Sequence, residues 1–189
     1  MKNLKTIAIA FVVALTTLTA TAQTKKIDAA KSSIAWVGKK VTGSHNGTVN
    51  FKDGSLVWKG GKLTGGTFTI DMTSITATDL KAGEGKEKLE GHLKADDFFG
   101  TDKFATSTLV FTSVKEKSKN VYTVTADLTI KGKTAPVTFD LTTGKNAAAT
   151  AFNVDRTKYG ITFGSKNFFE GIGDKAVYDE FELTVKVVY

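Results

Sequence analysis

Apolar and polar residues alternate with a period of two through most of the chain, the mark of strands with one buried face. Ile34 and Trp36 alternate in the first such run, Val49 and Phe51 in the second. Asp53-Gly54 predicts a two-residue hairpin turn leading into Ser55-Leu56-Val57-Trp58, and Gly60-Gly61 predicts a further turn. Phe68, Ile70 and Met72 then share a face, opposite Thr67, Thr69 and Asp71. From Thr73 to Phe104 the alternation stops. Within this stretch Leu89 and Leu93 stand four apart in Lys86–Leu93, the spacing of a short helix. Asp96-Asp97-Phe98-Phe99-Gly100 follows as a turn carrying two large apolar groups.

The period of two then resumes. Leu109 pairs with Phe111, and Tyr122, Val124, Ala126, Leu128 and Ile130 form one face against Thr123, Thr125, Asp127 and Thr129. Lys131–Thr134 reads as a turn, and Pro136 opens a strand whose buried face is Val137, Phe139 and Leu141. Ala151–Val154 predicts another strand. The last run sets Phe181, Leu183, Val185, Val187 and Tyr189 against Glu182, Thr184 and Lys186. About eight strands and one helical interruption predict an all-β, antiparallel domain, closed as a barrel or folded as a sandwich. Periodicity alone leaves that choice open.

The first 22 residues fall outside this pattern. Lys2 and Lys5 precede the apolar run Ile7–Leu15, and Ala20-Thr21-Ala22 supplies a small-x-small cleavage site. A signal peptide over 1–22 is expected, leaving one domain over 23–189. The competing reading is an uncleaved anchor, since Thr6–Thr24 is uncharged and near the roughly 20 residues a spanning helix needs. Its many threonines argue against that. Cleavage predicts a periplasmic or secreted protein.

Composition narrows the chemistry. There is no cysteine, which excludes disulfides, a thiol catalyst and thiolate metal sites. The formal charge of +7 comes from lysines scattered mostly over turns, with no nucleic-acid motif. No nucleic-acid partner is expected, and at most transient contact with a membrane surface. His45, in a predicted Ser44–Gly47 turn, and His92 are the only histidines. Their spacing matches no metal-binding motif, and hydrogen bonding is their expected role. No nucleophile-base set stands out, so neither an enzyme nor a cofactor is expected. Arg156 is the only arginine among 26 basic residues. Its planar fork suits either a carboxylate partner, in the neighbourhood of Asp155 or at Glu180, or the oxygens of a ligand head group.

Several segments together resemble the YceI-like family of lipocalin-like, polyisoprenoid-binding proteins. Gly91–Gly100 resembles its His-Leu-x-x-x-Asp-Phe-Phe block, and Lys40–Gly47 an early Gly-x-His-x-Gly turn. Tyr122–Val137 resembles its central hairpin, Asp155–Ile161 its Asp-Arg-x-x-Phe-Gly-Ile block with Tyr159 for Phe, and Asp179–Leu183 its closing strand. The resemblance runs from about Thr24 to Tyr189. It implies an extended eight-stranded antiparallel lipocalin-like barrel with a short helical insertion. It also implies an isoprenoid lipid or quinone held inside, and for some members a homodimer.

Such a chain offers almost no hydrogen-bonding capacity, so its carrier needs a dry, apolar tunnel. The candidate ligand-binding residues are Trp36, Phe51, Phe68, Ile70, Phe111, Leu128, Phe139, Phe152, Phe181 and Leu183 on strands. Phe98 and Phe99 are candidate end caps, and Arg156 the candidate polar contact. A solid core built from the same residues, and a small outer-membrane barrel ending on Tyr189, are the competing expectations.

Overall fold

The computed structural model describes residues 21–189. Nine strands form one antiparallel sheet: β1 (Ala22–Lys26), β2 (Ser33–Lys40), β3 (Gly43–Lys59), β4 (Lys62–Ala77), β5 (Thr106–Ser118), β6 (Val121–Ile130), β7 (Lys133–Thr143), β8 (Ala147–Asp155) and β9 (Val177–Val188). Neighbours run β1-β3-β2-β9-β8-β7-β6-β5-β4, and β3 also pairs with β4. That last pairing closes β2 to β9 into an eight-stranded barrel. The long β3 makes closure possible: its first half pairs with β2, its second half with β1, and it lies along β4 throughout. One helix, α1 (Lys86–Lys94), interrupts the strands between β4 and β5.

The alternation read from the sequence becomes the two faces of the barrel wall. In β6, Tyr122, Val124, Ala126, Leu128 and Ile130 are all buried, while the intervening residues are partly or fully exposed. In β9 the charged Glu182 and Lys186 face out, and Val187 lies inside. Apolar interior and polar exterior are the arrangement of a barrel whose outside meets water.

Three local expectations are corrected. Asp53-Gly54 is not a hairpin turn, because β3 runs straight through it with a bulge between Phe51 and Asp53. The glycine serves close approach instead: a Cβ on Gly54 would lie 2.5 Å from Cδ1 of Phe68. His45 is likewise within β3 and not in a turn, and its Nδ1 lies 2.8 Å from Asp79 Oδ2. Hydrogen bonds from His45 and from the Asn46 amide outweigh desolvation and hold the Asp79 carboxyl below its ordinary range. Finally, β4 continues past Thr73 to Ala77, burying Ile75 and Ala77. The predicted signal segment lies outside the described residues except for Thr21 and Ala22.

The helix is held as a lid. Glu90 accepts hydrogen bonds from the Thr76 hydroxyl and, at 2.9 Å, from the Ala77 amide. These contacts keep its carboxyl below the ordinary range. Beyond α1 the chain turns sharply. The amides of Phe99 and Gly100 donate to Leu93 and Ala95 carbonyls at 3.1 and 2.9 Å, and Gly100 takes the left-handed φ of 57° that the turn demands. The Lys131 ammonium, on the β6–β7 turn, donates to the Asp96 carbonyl and anchors this end of the lid.

Candidate functional site: an apolar cavity with a break in its wall

The barrel interior is not filled. A cavity of about 170 Å³ runs through it, and the walls are almost wholly apolar. All thirteen residues singled out from the sequence line it: Trp36, Phe51, Phe68, Ile70, Phe98, Phe99, Phe111, Leu128, Phe139, Phe152, Arg156, Phe181 and Leu183. They reach it from all eight barrel strands, β2 to β9, from the turn after α1 and from the 3₁₀ turn Arg156–Tyr159.

The phenylalanines form a continuous belt. Ring centroids are separated by 5.9 Å from Phe51 to Phe68, 5.8 Å from Phe68 to Phe111, 6.1 Å from Phe111 to Phe139 and 4.6 Å from Phe139 to Phe152. These five rings come from β3, β4, β5, β7 and β8, so the belt spans much of the barrel circumference. The pairs run from tilted and edge-to-face to the stacked Phe139–Phe152 pair, so the rings hold one another in place and present both faces and edges to the cavity. Phe98 and Phe99, 5.3 Å apart, close the end beneath α1, with Phe99 6.4 Å from Phe181. The opposite end is plugged by Trp58, whose ring lies 6.4 Å from Tyr122 and 6.0 Å from Tyr189.

Sequence reasoning missed how the cavity reaches the surface. β2 and β9 pair in register from Ser33–Lys186 up to Gly38–Phe181, and the next pair is Lys40–Val177. Between those pairs β2 has one residue, Lys39, and β9 has three, Tyr178, Asp179 and Glu180. The ladder is therefore broken, and Gly38, Lys39, Tyr178 and Glu180 line the cavity at the break. Gly38 follows Ile34 and Trp36 on the inward face, and a Cβ built on it would meet nothing within 4 Å. A glycine where the alternation calls for an apolar side chain was the available signal.

Arg156 explains how the broken ladder survives. It is buried, with Nε donating to the Tyr178 carbonyl (3.1 Å), Nη1 to Ile161 (2.8 Å) and Nη2 to Val177 (3.0 Å). Its carboxylate partner is Asp179, at 3.4 Å, in place of the expected group at Glu180 or in the neighbourhood of Asp155. Burial pushes the guanidinium's pKa down while Asp179 and Asp155 push it up. Four of the five N–H groups of the fork are thus committed. Its Cζ lies 5.9 Å from the Phe98 ring, so the same side chain backs the end cap. Beside it, the Tyr159 hydroxyl is buried without a hydrogen-bond partner, and burial raises its pKa to about 12.

His92 lies at the lid end, with Nε2 3.3 Å from Asp97 Oδ2 and its ring edge-on to Phe98 at 5.4 Å. Among the described residues no three His, Asp or Glu side chains gather as a metal site would require.

Comparison with known proteins places the chain. A family model described as a YceI-like domain matches residues 26–189. A UPF0312 protein of Staphylococcus aureus is 40% identical over 108 residues, covering 51% of this chain and 56% of that one. A UPF0312 protein of Shewanella denitrificans is 32% identical over 92 residues, covering 49% and 46%. The chain thus spans about half the length of the curated relatives it matches. Among solved structures, Burkholderia cenocepacia BcnA shares the fold with a TM-score of 0.70 at 23% identity, over 86% of this chain and 99% of that one. A structure described as a polyisoprenoid binding domain from Saccharophagus degradans gives a TM-score of 0.57 at 15% identity, over 86% and 95%.

Proposed function

This chain belongs to the YceI-like family, and from that premise we propose that it is a binding protein, not an enzyme, which carries a polyisoprenoid or similar amphiphilic lipid in its barrel. The observation that carries the reading is the cavity itself. Its walls give a ligand contact with apolar side chains along its length and almost nothing to hydrogen-bond. A hydrocarbon chain is the chemistry that fits such a space. Each CH₂ moved from water into it contributes on the order of 0.8 kcal/mol before the costs of immobilisation. The description of the Saccharophagus degradans neighbour as polyisoprenoid binding supports the same class of cargo.

The ligand chain lies along the phenylalanine belt, and its polar head, a quinone ring being one example, stays at the break between β2 and β9. There Lys39, Tyr178 and Glu180 meet solvent. Arg156 acts by fixing this wall and by backing Phe98. The competing outer-membrane barrel would need apolar residues outward and polar ones within, and the faces here run the other way. The residues 1–22 act as a cleaved signal, and the protein works in the periplasm or outside the cell.

Native mass spectrometry of protein purified without detergent tests this directly. The expected result is a heavier species carrying a long-chain apolar molecule, displaced when the protein is extracted and restored on addition of polyprenyl lipids or quinones. No such species, together with no uptake on reconstitution, overturns the proposal.

A further inference from the structure

Six large apolar side chains are exposed among the described residues, and five of them stand at one end of the molecule. These are Val41 (41% exposed), Phe163 (42%), Phe168 (57%), Phe169 (48%) and Tyr178 (57%); only Val110, on β5, lies elsewhere. Hydrogen bonds tie the five to the break in the wall. The Val41 amide donates to the Ala176 carbonyl at 3.1 Å, and Val177 donates to Gly164 at 2.8 Å. Asn167 Nδ2 donates to Asp179 at 2.6 Å, next to Tyr178, which itself lines the opening. The Phe163 ring lies 4.4 Å from His92, which abuts the Phe98 cap. An exposed aromatic cluster is costly in water and marks a contact surface.

We propose that this rim docks the opening of the cavity onto a lipid bilayer, so that cargo passes between bilayer and barrel without crossing water. The inference rests on the lipid-carrying reading, and two features favour a bilayer as the occupant. Tyr178 lines the mouth of a cavity that is itself apolar, and the other four sit on segments tied to the start of β9 beside it, so a docked membrane would make one continuous hydrocarbon path. Aromatic side chains with a polar edge close by are also the residues that settle at a membrane–water interface. Charge sets the kind of membrane. Lys39, Lys40, Lys166 and Lys175 at this end are offset by Glu170, Asp174, Glu180 and Glu182. Docking is therefore driven by apolar insertion and needs no anionic lipid.

The test uses the full chain and its double variant Phe168→Ser/Phe169→Ser, both side chains being exposed. Phosphatidylcholine vesicles are pelleted with each protein at about 0.1 M and about 0.5 M salt, where screening differs strongly. The original protein is expected to pellet equally at both. The variant, with an unchanged melting temperature, is expected to bind about tenfold more weakly. Farnesol delivered into buffer should be taken up equally by both, while its transfer from vesicles should slow about tenfold in the variant.

Equal vesicle binding by both proteins, or none by the original, overturns the docking proposal. So does self-association of the original protein that the double substitution abolishes while vesicles bind neither, because the rim is then an interface between copies. Failure of the original to take up farnesol from buffer strikes the cargo reading instead, and pelleting alone then judges the docking surface.

Discussion

Gly38 offers the sharpest test of the cavity and its opening. Its Cα stands on the inward face of β2, level with Phe181 across the ladder, and a Cβ there meets nothing within 4 Å. Its φ is not in the left-handed region, so an L side chain imposes no backbone strain. Gly38→Phe therefore adds a benzyl group to open space at the mouth of the cavity. The expected effect on stability is small, within about 0.5 kcal/mol, because nothing is displaced but solvent. The expected effect on binding is large. If the ring excludes only two or three carbons of a bound chain, the loss at about 0.8 kcal/mol per carbon is about 2 kcal/mol. That corresponds to about 30-fold in Kd.

Trp36, which lines the cavity two residues away, gives the assay. Its fluorescence is titrated with farnesol in the original protein, in Gly38→Phe and in Gly38→Ala. The alanine variant adds one methyl and should bind within about fourfold of the original, since it excludes at most one chain carbon at about 0.8 kcal/mol. Unchanged affinity in Gly38→Phe, with melting temperature preserved, would falsify the assignment of the β2–β9 break as the ligand's path. A collapse of the melting temperature in the alanine variant would refute the open space on which the reasoning depends.

Other substitutions probe what holds the site. Arg156→Met leaves the carbonyls of Tyr178, Ile161 and Val177 without their donors, and chemical denaturation should show a loss of about 3–5 kcal/mol; a loss below about 1 kcal/mol would mean the fork is not structural. Tyr159→Phe removes a buried hydroxyl that has no partner, so the variant should be as stable as the original or more so by about 1 kcal/mol. Because the folded phenol has a pKa raised to about 12 against an ordinary value near 10, the unfolded chain ionises first. Stability should be intact below pH 10 and decline from about 10 to about 12 in the original protein, and that part of the decline should vanish in Tyr159→Phe when melting is followed against pH. Gly54→Ala forces a Cβ to 2.5 Å from the Phe68 ring, so it should cost about 1–3 kcal/mol and disturb the phenylalanine belt, visible as weakened farnesol binding; an unperturbed melting curve would contradict the close approach.

The strands were legible in the sequence because the wall has one face toward each environment, and a period of two records that directly. Phe98, Phe99 and Arg156 lie outside the alternation, but the same rule found the ten strand residues of the cavity wall, since every inward position of the barrel faces either the core or the void. It could not say which, because a ring that fills space and a ring that borders it have the same neighbours in sequence. Asp53-Gly54 misled for a related reason. Glycine marks tight turns, but it also marks places where another side chain needs the room of a Cβ, and here Phe68 takes that room. The exposed Phe163, Phe168 and Phe169 belong to an irregular segment with no periodicity to read. Their significance comes from hydrogen bonds to β9 that only the folded chain brings together.

The lone arginine and the opening in the wall turn out to be one feature. A sheet that keeps its ladder intact satisfies its own carbonyls and leaves no path through the wall. A sheet that parts between Gly38 and Lys40 opens a path but strands backbone groups of β9. The carbonyls of Val177 and Tyr178, with that of Ile161, then need donors arriving from a single buried point in three directions. A lysine ammonium on its flexible stem is a point charge that shifts toward the neutral form when buried, whereas a guanidinium is rigid, stays charged and carries five donors. In a chain that otherwise uses lysine for every positive charge, the need for that geometry accounts for arginine at position 156 alone. It follows that Arg156→Lys should restore only part of the stability lost in Arg156→Met, by about half at most, since one ammonium reaches fewer of the three carbonyls. Full rescue by lysine, measured by denaturation at constant m, would mean that charge alone matters and that the break in the ladder does not require the fork.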